Sequence, residues 1–125
     1  MPEQVVFIGT YAIADVGFED WSAANEAMCR FVQANEPKII SWHTYVNAEH
    51  TEATTIMVFP DSAALEYHMQ VAASRIGVGV QMVRTSKVEL YGQVSDALVA
   101  QLWRVSEMSG SWPVIVKEHL RGFPD

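Results

Sequence analysis

One histidine, His68, stands where a side chain could do acid–base chemistry. It lies three residues after Leu65 and beside Met69, in a stretch whose apolar residues recur at helical spacing. This spacing predicts that the imidazole turns towards the buried side of a helix. An imidazole titrates at about pH 6.5, so it can accept a phenolic proton or hydrogen-bond a carbonyl group. The alternative is a half-buried histidine bonded to a strand backbone or to Tyr45.

A second group of functional side chains falls on a predicted strand just before this helix. Alternation along the strand places two sets on opposite faces: Ser41, His43, Tyr45 and Asn47, and Ile40, Trp42, Thr44 and Val46. The first set mixes polar and aromatic groups, as a pocket for a phenolic ligand would. The sequence therefore predicts Tyr45 as a catalytic partner of His68 and His43 as a substrate-binding residue. The alternative is that this face lines a dimer interior or solvent.

Three aromatic residues are further candidates for the substrate pocket. Trp42 is predicted to pack against the substrate, or else to anchor the core. Tyr11 and Tyr91 lie in neighbouring strands and join the pocket in this interpretation, although tyrosines in strands more often serve packing. Gly9, in the middle of the first strand, indicates a bulge or a close approach of a ligand or backbone.

The sequence predicts neither a metal nor a cofactor. The four histidines, His43, His50, His68 and His119, have no ligand spacing, and Cys29 is the only cysteine. A nucleophile elbow and a glycine-rich phosphate loop are both missing from the sequence. Cys29 lies in the middle of an apolar helix, where it is predicted to be an inert core thiol.

Strands and helices that position these residues can be placed from periodicity and from capping signals. The predicted strands are Gln4–Ile13, Lys38–Asn47, Thr51–Phe59, Ser86–Tyr91 and Trp112–His119. The first helix begins at Glu19 or Asp20 and ends near Asn35, before Pro37. The second is capped by Asp61 or Ser62 and buries Leu65, Met69, Ala72 and Ile76. Residues 77–84 have an ambiguous pattern and are predicted to form a loop, with room for a short turn of helix. The third helix runs from its cap at Ser95 towards Gly110.

The resulting order, β-α-β-β-α-β followed by α-β, fits a ferredoxin-like α+β fold with an antiparallel sheet and helices on one face. One domain spans residues 1–125, with its core at 4–92 and an extension at 93–125. The other sheet face would stay bare although it carries apolar residues. Two such faces packed across a two-fold axis would cover each other. The sequence therefore predicts a homodimer, a dimeric α+β barrel.

Composition limits the classes of partner. The 125 residues carry a net charge of −7 and have no cluster of Lys and Arg, which argues against nucleic acid and anionic membranes. No apolar run reaches the roughly 18–20 residues of a membrane span. A single cysteine fits a reducing compartment. We expect a cytoplasmic protein whose partners are a second copy of itself and a small hydrophobic or aromatic ligand.

Several segments together resemble the antibiotic biosynthesis monooxygenase-like family of dimeric α+β barrels. They are Trp21 with Met28 and Phe31, Asn35-Glu36-Pro37, Ser41-Trp42-His43-Thr44-Tyr45-Val46, Phe59-Pro60-Asp61-Ser62, and Leu65-Glu66-Tyr67-His68-Met69. The similarity covers roughly residues 4 to 92. It is moderately specific for the family and weakly specific for any reaction, because the superfamily includes cofactor-independent oxygenases of polycyclic phenols, quinol monooxygenases, haem-degrading enzymes and members without known activity.

The resemblance implies a cofactor-independent monooxygenase-like enzyme for a small aromatic, quinol or polyketide-type substrate. In that hypothesis His68 deprotonates the substrate, and the electron-rich anion reacts with O2 directly. The alternative from another class is a non-catalytic homodimer that binds a small hydrophobic ligand. A third is an interaction module whose function lies in its dimer surface.

Overall fold

A computed structural model describes residues 4–13, 17–79 and 83–124, with the side chains of residues 72–79 outside the description. Its elements follow the order β-α-β-β-α-β-α-β. The strands are β1 (Val5–Ile13), β2 (Ser41–Val46), β3 (Glu52–Phe59), β4 (Val83–Tyr91) and β5 (Val114–Lys117). The helices are α1 (Phe18–Asn35), α2 (Ser62–Gly79) and α3 (Asp96–Met108).

The five strands form one sheet in the order β2-β3-β1-β4-β5. Pairing is antiparallel except between β4 and β5, which run parallel because α3 carries the chain back across the sheet. Gly9 pairs with Thr55, and Trp42 pairs with Met57. The register between β1 and β4 shifts between Thr10 and Tyr11. This is the α+β fold, with a mostly antiparallel sheet, that the sequence predicts.

The predicted helix limits hold at most ends. α1 ends at Asn35, and Asp61 caps α2 by accepting a hydrogen bond from the backbone N–H of Ala64 at 2.9 Å. Ser95 caps α3 by accepting one from the N–H of Leu98 at 3.1 Å. Ser109 is the C-cap of α3. Gly110 follows it at φ 114°, as predicted.

The predicted loop at residues 77–84 is wrong at both of its ends, although the short turn of helix left open there agrees with the end of α2. α2 continues through Gly77 to Gly79, and β4 begins at Val83, three residues before the predicted start. Residues 80–82 lie outside the described residues, as do the side chains of Ala72 and Ile76. A glycine costs only about 1 kcal/mol inside a helix, which is too little to end one that is well packed.

Alternate residues of the sheet face two different environments. Phe7, Met57 and Leu90 are buried beneath the helices, together with Leu65 of α2 and Leu102 of α3. We call the opposite side of the sheet the open face, and most of its side chains are half-buried. The open face is formed by Val6, Ile8, Ser41, His43, Tyr45, Thr54, Ile56, Val58, Lys87, Glu89 and Tyr91. No helix within the described residues is long and apolar enough to cross a membrane.

Gly92 is where the backbone leaves β4, and it should tolerate no side chain. Its φ is 119°, and a Cβ there would lie 2.5 Å from the carbonyl oxygen of Gln4. Gly110 has a similar φ of 114° but open space around it. We expect Gly110→Ala to lower the free energy of unfolding by about 1–3 kcal/mol through strain alone. Gly92→Ala should cost about 1–3 kcal/mol more because of the overlap with the backbone. Urea melts of both variants measure the difference, and equal losses would contradict it.

Candidate functional site

His68 forms a buried pair with Glu36 between the helices and the sheet. The imidazole Nδ1 lies 2.8 Å and 2.9 Å from the two carboxylate oxygens of Glu36. The two residues are 7% and 3% exposed. A carboxylate only accepts hydrogen bonds, so Nδ1 is the donor of this pair, and in the neutral imidazole the lone pair is then on Nε2. The partner of His68 is thus neither a strand backbone nor Tyr45.

The end of α1 positions Glu36. Its backbone N–H donates to the carbonyl of Val32 at 2.8 Å, so Glu36 still belongs to the last turn. Pro37 follows and prevents the helix from continuing. The side chain therefore starts from a fixed backbone and reaches α2, where His68 sits one turn after the buried Leu65. Two helices that pack on one sheet bring these groups together from positions 32 residues apart.

The second imidazole nitrogen of His68, Nε2, is not engaged by any residue that the structure describes. No buried side-chain nitrogen or oxygen in the same part of the chain lacks a partner, so Nε2 retains accessible surface. An imidazole held by a carboxylate at one nitrogen and open at the other is arranged as a general base.

Aromatic rings form the walls around this imidazole. The ring of Trp42 meets His68 edge-on at a centroid distance of 6.5 Å, and the ring of Phe59 lies at 5.5 Å. The indole of Trp42 also packs against the hydrophobic core and donates from Nε1 to Thr44 Oγ1 at 3.0 Å. Trp42 therefore lies beside His68, and its packing against the core and its bond to Thr44 fix its position.

Tyr11 lies on the same side of the sheet as His68. It pairs with Ala53, whose side chain is buried beneath the helices. The phenol folds back over Gly9, where a Cβ would overlap it. Gly9 thus marks a close approach, but the approaching group is the ring of Tyr11 and not the predicted ligand or backbone. Burial raises the pKa of Tyr11 to about 12, so its hydroxyl remains a hydrogen-bond donor at neutral pH.

Stability at high pH should depend on Tyr11. The folded protein holds the phenolic proton more tightly than the unfolded chain does, where the pKa is about 10. The stability that this tighter proton binding contributes is fully present below about pH 10 and is lost as the pH rises through about 12. Between pH 9.5 and 11.5, we expect the free energy of unfolding of wild type to fall by up to about 2 kcal/mol more than that of Tyr11→Phe. Urea melts across that range measure it, and parallel curves would contradict it.

His43 and Tyr45 do not meet His68, although the sequence places them with it. Alternation along β2 is as predicted, but the face that carries His43 and Tyr45 is the open face, paired with Ile56 and Thr54. Tyr45 is 57% exposed, and its ring lies 6.4 Å from that of His43. The sheet itself separates both from the base, because consecutive side chains of a strand point to opposite sides.

Tyr91 also lies on the open face, away from His68. Its hydroxyl donates to the carboxylate of Glu89. This bond raises the pKa of Tyr91 and lowers that of Glu89. Lys87 lies 3.5 Å from Glu89, and Lys117 lies 5.9 Å from the ring of Tyr91. Since Tyr91 also titrates high, the pH comparison for Tyr11 is best made in a Tyr91→Phe background.

A separate groove of about 530 Å³ lies between α3 and β5. Apolar side chains of Val99, Trp103 and Val116 line it, with the carboxylates of Asp96 and Glu118 at its rim. It shares no residue with the pair of Glu36 and His68. Within the described residues, no three His, Cys, Asp or Glu side chains are grouped as metal ligands would be.

Comparison with solved structures supports the fold. MupZ from Pseudomonas fluorescens superposes with a TM-score of 0.77 at 14% identity, over 98% of this chain and 95% of that one. SnoaB, a cofactor-independent oxygenase from Streptomyces nogalater, superposes with a TM-score of 0.61 at 11% identity, over 74% of this chain and 95% of that one. A candidate antibiotic biosynthesis monooxygenase from Bacteroides thetaiotaomicron superposes with a TM-score of 0.60 at 18% identity, over 70% of this chain and 85% of that one. No protein-family model and no curated sequence matches the chain.

These likenesses show that the chain has the fold of the antibiotic biosynthesis monooxygenase-like proteins, so the predicted resemblance is confirmed at the level of the fold. MupZ matches nearly the whole chain, whereas the other two match about three quarters of it. The superposition with MupZ therefore also takes in most of residues 93–125.

Proposed function

We propose that this protein is a cofactor-independent, monooxygenase-like enzyme that acts on an aromatic, quinol or polyketide-type substrate, with His68 as its general base. The observation that carries the proposal is the bond from His68 Nδ1 to the buried carboxylate of Glu36, which leaves Nε2 without a partner among the described residues, in an imidazole flanked by the rings of Trp42 and Phe59. The oxygenase SnoaB and the monooxygenase-like neighbours have the same fold, which is consistent with this chemistry.

The base converts the substrate into an anion. His68 Nε2 takes a proton from a phenol or from an acidic ring CH2 group, and Glu36 stabilises the imidazolium that forms. A carbanion of this kind reduces O2, and the new C–O bond gives a peroxide that takes up a proton. Loss of water then leaves a carbonyl group. One CH2 and one O2 yield one C=O and one H2O, so the reaction needs no other reductant.

A homodimer is part of the proposal. The open face carries the apolar side chains of Val6, Ile8, Ile56 and Val58, which one protomer leaves only half-buried. A second copy that packs on this face would remove them from water, at about 25 cal/mol for each Å² buried. Sedimentation equilibrium at micromolar concentration should give twice the mass of the chain, and a monomer mass would contradict the dimer.

Oxygen uptake tests the proposed reaction. Protein treated with a chelator is mixed with anthrones, quinols and polycyclic phenols under ¹⁸O2. We expect uptake with at least one ring-CH2 or hydroquinone substrate, and one ¹⁸O atom in a carbonyl product. Tight binding without uptake would favour the alternative, a non-catalytic protein that binds a small hydrophobic ligand.

A further inference from the structure

The chain leaves the sheet in an exposed segment, residues 119–124, which we call the tail. It follows β5, the strand at one edge of the sheet, and forms no helix or strand of its own. Two large apolar side chains in the tail are almost wholly exposed, Leu120 at 82% and Phe123 at 97%. Apolar groups of this size, only three residues apart, form the kind of surface that binds a partner.

The groove between α3 and β5 offers a complementary surface at the same edge of the sheet. Val99, Trp103 and Val116 give it an apolar lining, and neither Trp103 nor Val116 is covered by its own chain, since they are 42% and 41% exposed. Its volume of about 530 Å³ is within the roughly 300–1,000 Å³ of clefts that enclose a ligand. The groove can therefore accept apolar side chains such as those of the tail.

Charge favours the same pairing. Asp96 and Glu118 place carboxylates at the rim of the groove, and neither makes an ion pair with any residue that the structure describes. A negative charge at Asp96 also suits the first turn of α3, but Glu118 has no such role. Arg121 lies between the two apolar residues of the tail, exposed and also unpaired within the described chain. The tail thus carries a cation flanked by apolar groups, and the groove carries an apolar lining flanked by acids.

The tail does not enter the groove of its own chain. Glu118 belongs to the rim and directly precedes the tail, so the backbone would have to reverse within residues 119 and 120 to return. The exposure of Leu120 and Phe123 shows that it does not reverse. A second copy requires no reversal, because the five residues from 119 to 123 span roughly 16–18 Å when extended.

The position of the tail and the groove suits a symmetric exchange. Both lie at the β5 edge, so a two-fold axis beside this edge sets each tail against the groove of the other copy, and one contact is made twice. Val116 pairs with Leu90, which is buried beneath the helices, so the groove lies on the helix side of the sheet. The contact is therefore separate from the open face and does not depend on the dimer proposed there.

We propose that the tail of each protomer binds the groove between α3 and β5 of a second copy. In this contact Phe123 packs against the indole of Trp103. Arg121 pairs with the carboxylates of Asp96 and Glu118. This inference goes beyond the proposed function, because it assigns a self-association surface to the part of the chain that lies outside the site of His68.

Disulfide trapping in the full chain tests the exchange. Ala100→Cys places a thiol in the groove and Gly122→Cys places one in the tail, both in a Cys29→Ser background that removes the native thiol. After mild oxidation we expect a covalent dimer on a denaturing gel, and a link between positions 100 and 122 in its digest. In a covalent dimer this link joins two chains, because a chain linked to itself has no thiol left.

Three results would overturn the inference. A link between positions 100 and 122 in a band with the mass of one chain would place the tail in its own groove. Absence of the link would show that the groove does not hold the tail. The matched control, Gln33→Cys with Gly122→Cys, moves the first thiol to the exposed side of α1 and should give no more dimer than either single variant. Equal trapping in this control would indicate random collision.

Substitutions in the trapping pair test the individual contacts. Phe123→Ala should slow trapping about tenfold, as expected when a buried aromatic ring is lost. Arg121→Glu should also slow it, because a third acid then faces Asp96 and Glu118, and added Asp96→Lys should restore part of the rate. Met108→Ala removes an apolar side chain that is 87% exposed but lies outside the groove, and should change the rate by less than about twofold. Equal slowing by Met108→Ala and Phe123→Ala would refute the contact.

Discussion

Replacement of His68 by alanine is expected to lower the rate of oxygen uptake by about 10²–10⁴-fold, the usual contribution of a general base. The reason is that the Nε2 lone pair has no substitute among the side chains around it, since Trp42 and Phe59 have no basic group. The measurement is kcat of both proteins with whichever substrate gives the highest wild-type rate.

Stability provides the control for the histidine variant. His68→Ala leaves the buried carboxylate of Glu36 without its partner, which should cost on the order of 1–3 kcal/mol in urea melts. Added imidazole should restore part of the rate because the truncated side chain leaves room for it. A variant that loses this stability and yet retains the wild-type rate would show that His68 is a packing group and not the base.

Removal of the carboxylate should reveal how far the pair acts as a unit. Glu36→Ala leaves Nδ1 without an acceptor inside the protein, and we expect it to cost about 1–3 kcal/mol of unfolding free energy. The rate should also fall, by less than in His68→Ala, because Glu36 orients the imidazole and stabilises the imidazolium that forms. Glu36→Gln keeps the shape and one acceptor, so it should restore most of the stability and only part of the rate.

A double-mutant cycle on the pair distinguishes a direct bond from two separate effects. If each residue's loss leaves the other unpaired, the double variant should lose less stability than the sum of the two single losses, with a coupling energy of about 0.5–3 kcal/mol. Additive losses would contradict the contact. Gln33→Ala, also on α1 but exposed, is the neutral reference.

The fold could be predicted because strand alternation and helix caps agree with each other along the chain. The helix limits at Asn35, Asp61 and Ser95 each rest on a local signal that the structure retains. Gly77 does not end α2, because a glycine inside a helix costs only about 1 kcal/mol and so is a weak stop signal on its own.

The candidate site was harder to predict. The spacing indicates His68 because a titratable residue on an apolar helix stripe is unusual, whereas the sequence analysis assigns Glu36 no role of its own. One signal in the sequence could have indicated this pair. A buried histidine needs a hydrogen-bond partner, and Glu36 is the acidic residue at the end of a helix that must pack beside α2. The face of β2 was chosen by its polar character, whereas the structure shows that Trp42 and Thr44 face the helices and His43 and Tyr45 do not.

The alternation along β2 has a consequence for how this protein can change. Residues 41, 43 and 45 belong to the open face, and residues 42 and 44 belong to the side of His68. In the proposed homodimeric enzyme, neighbouring codons of one short gene segment therefore serve different selective pressures. A library that randomises only 42 and 44 would sample ligand preference with the outer surface intact, and one that randomises 41, 43 and 45 would sample assembly with the inner side intact. Under that proposal, assembly and chemistry can diverge separately in this hexapeptide, one mutation at a time.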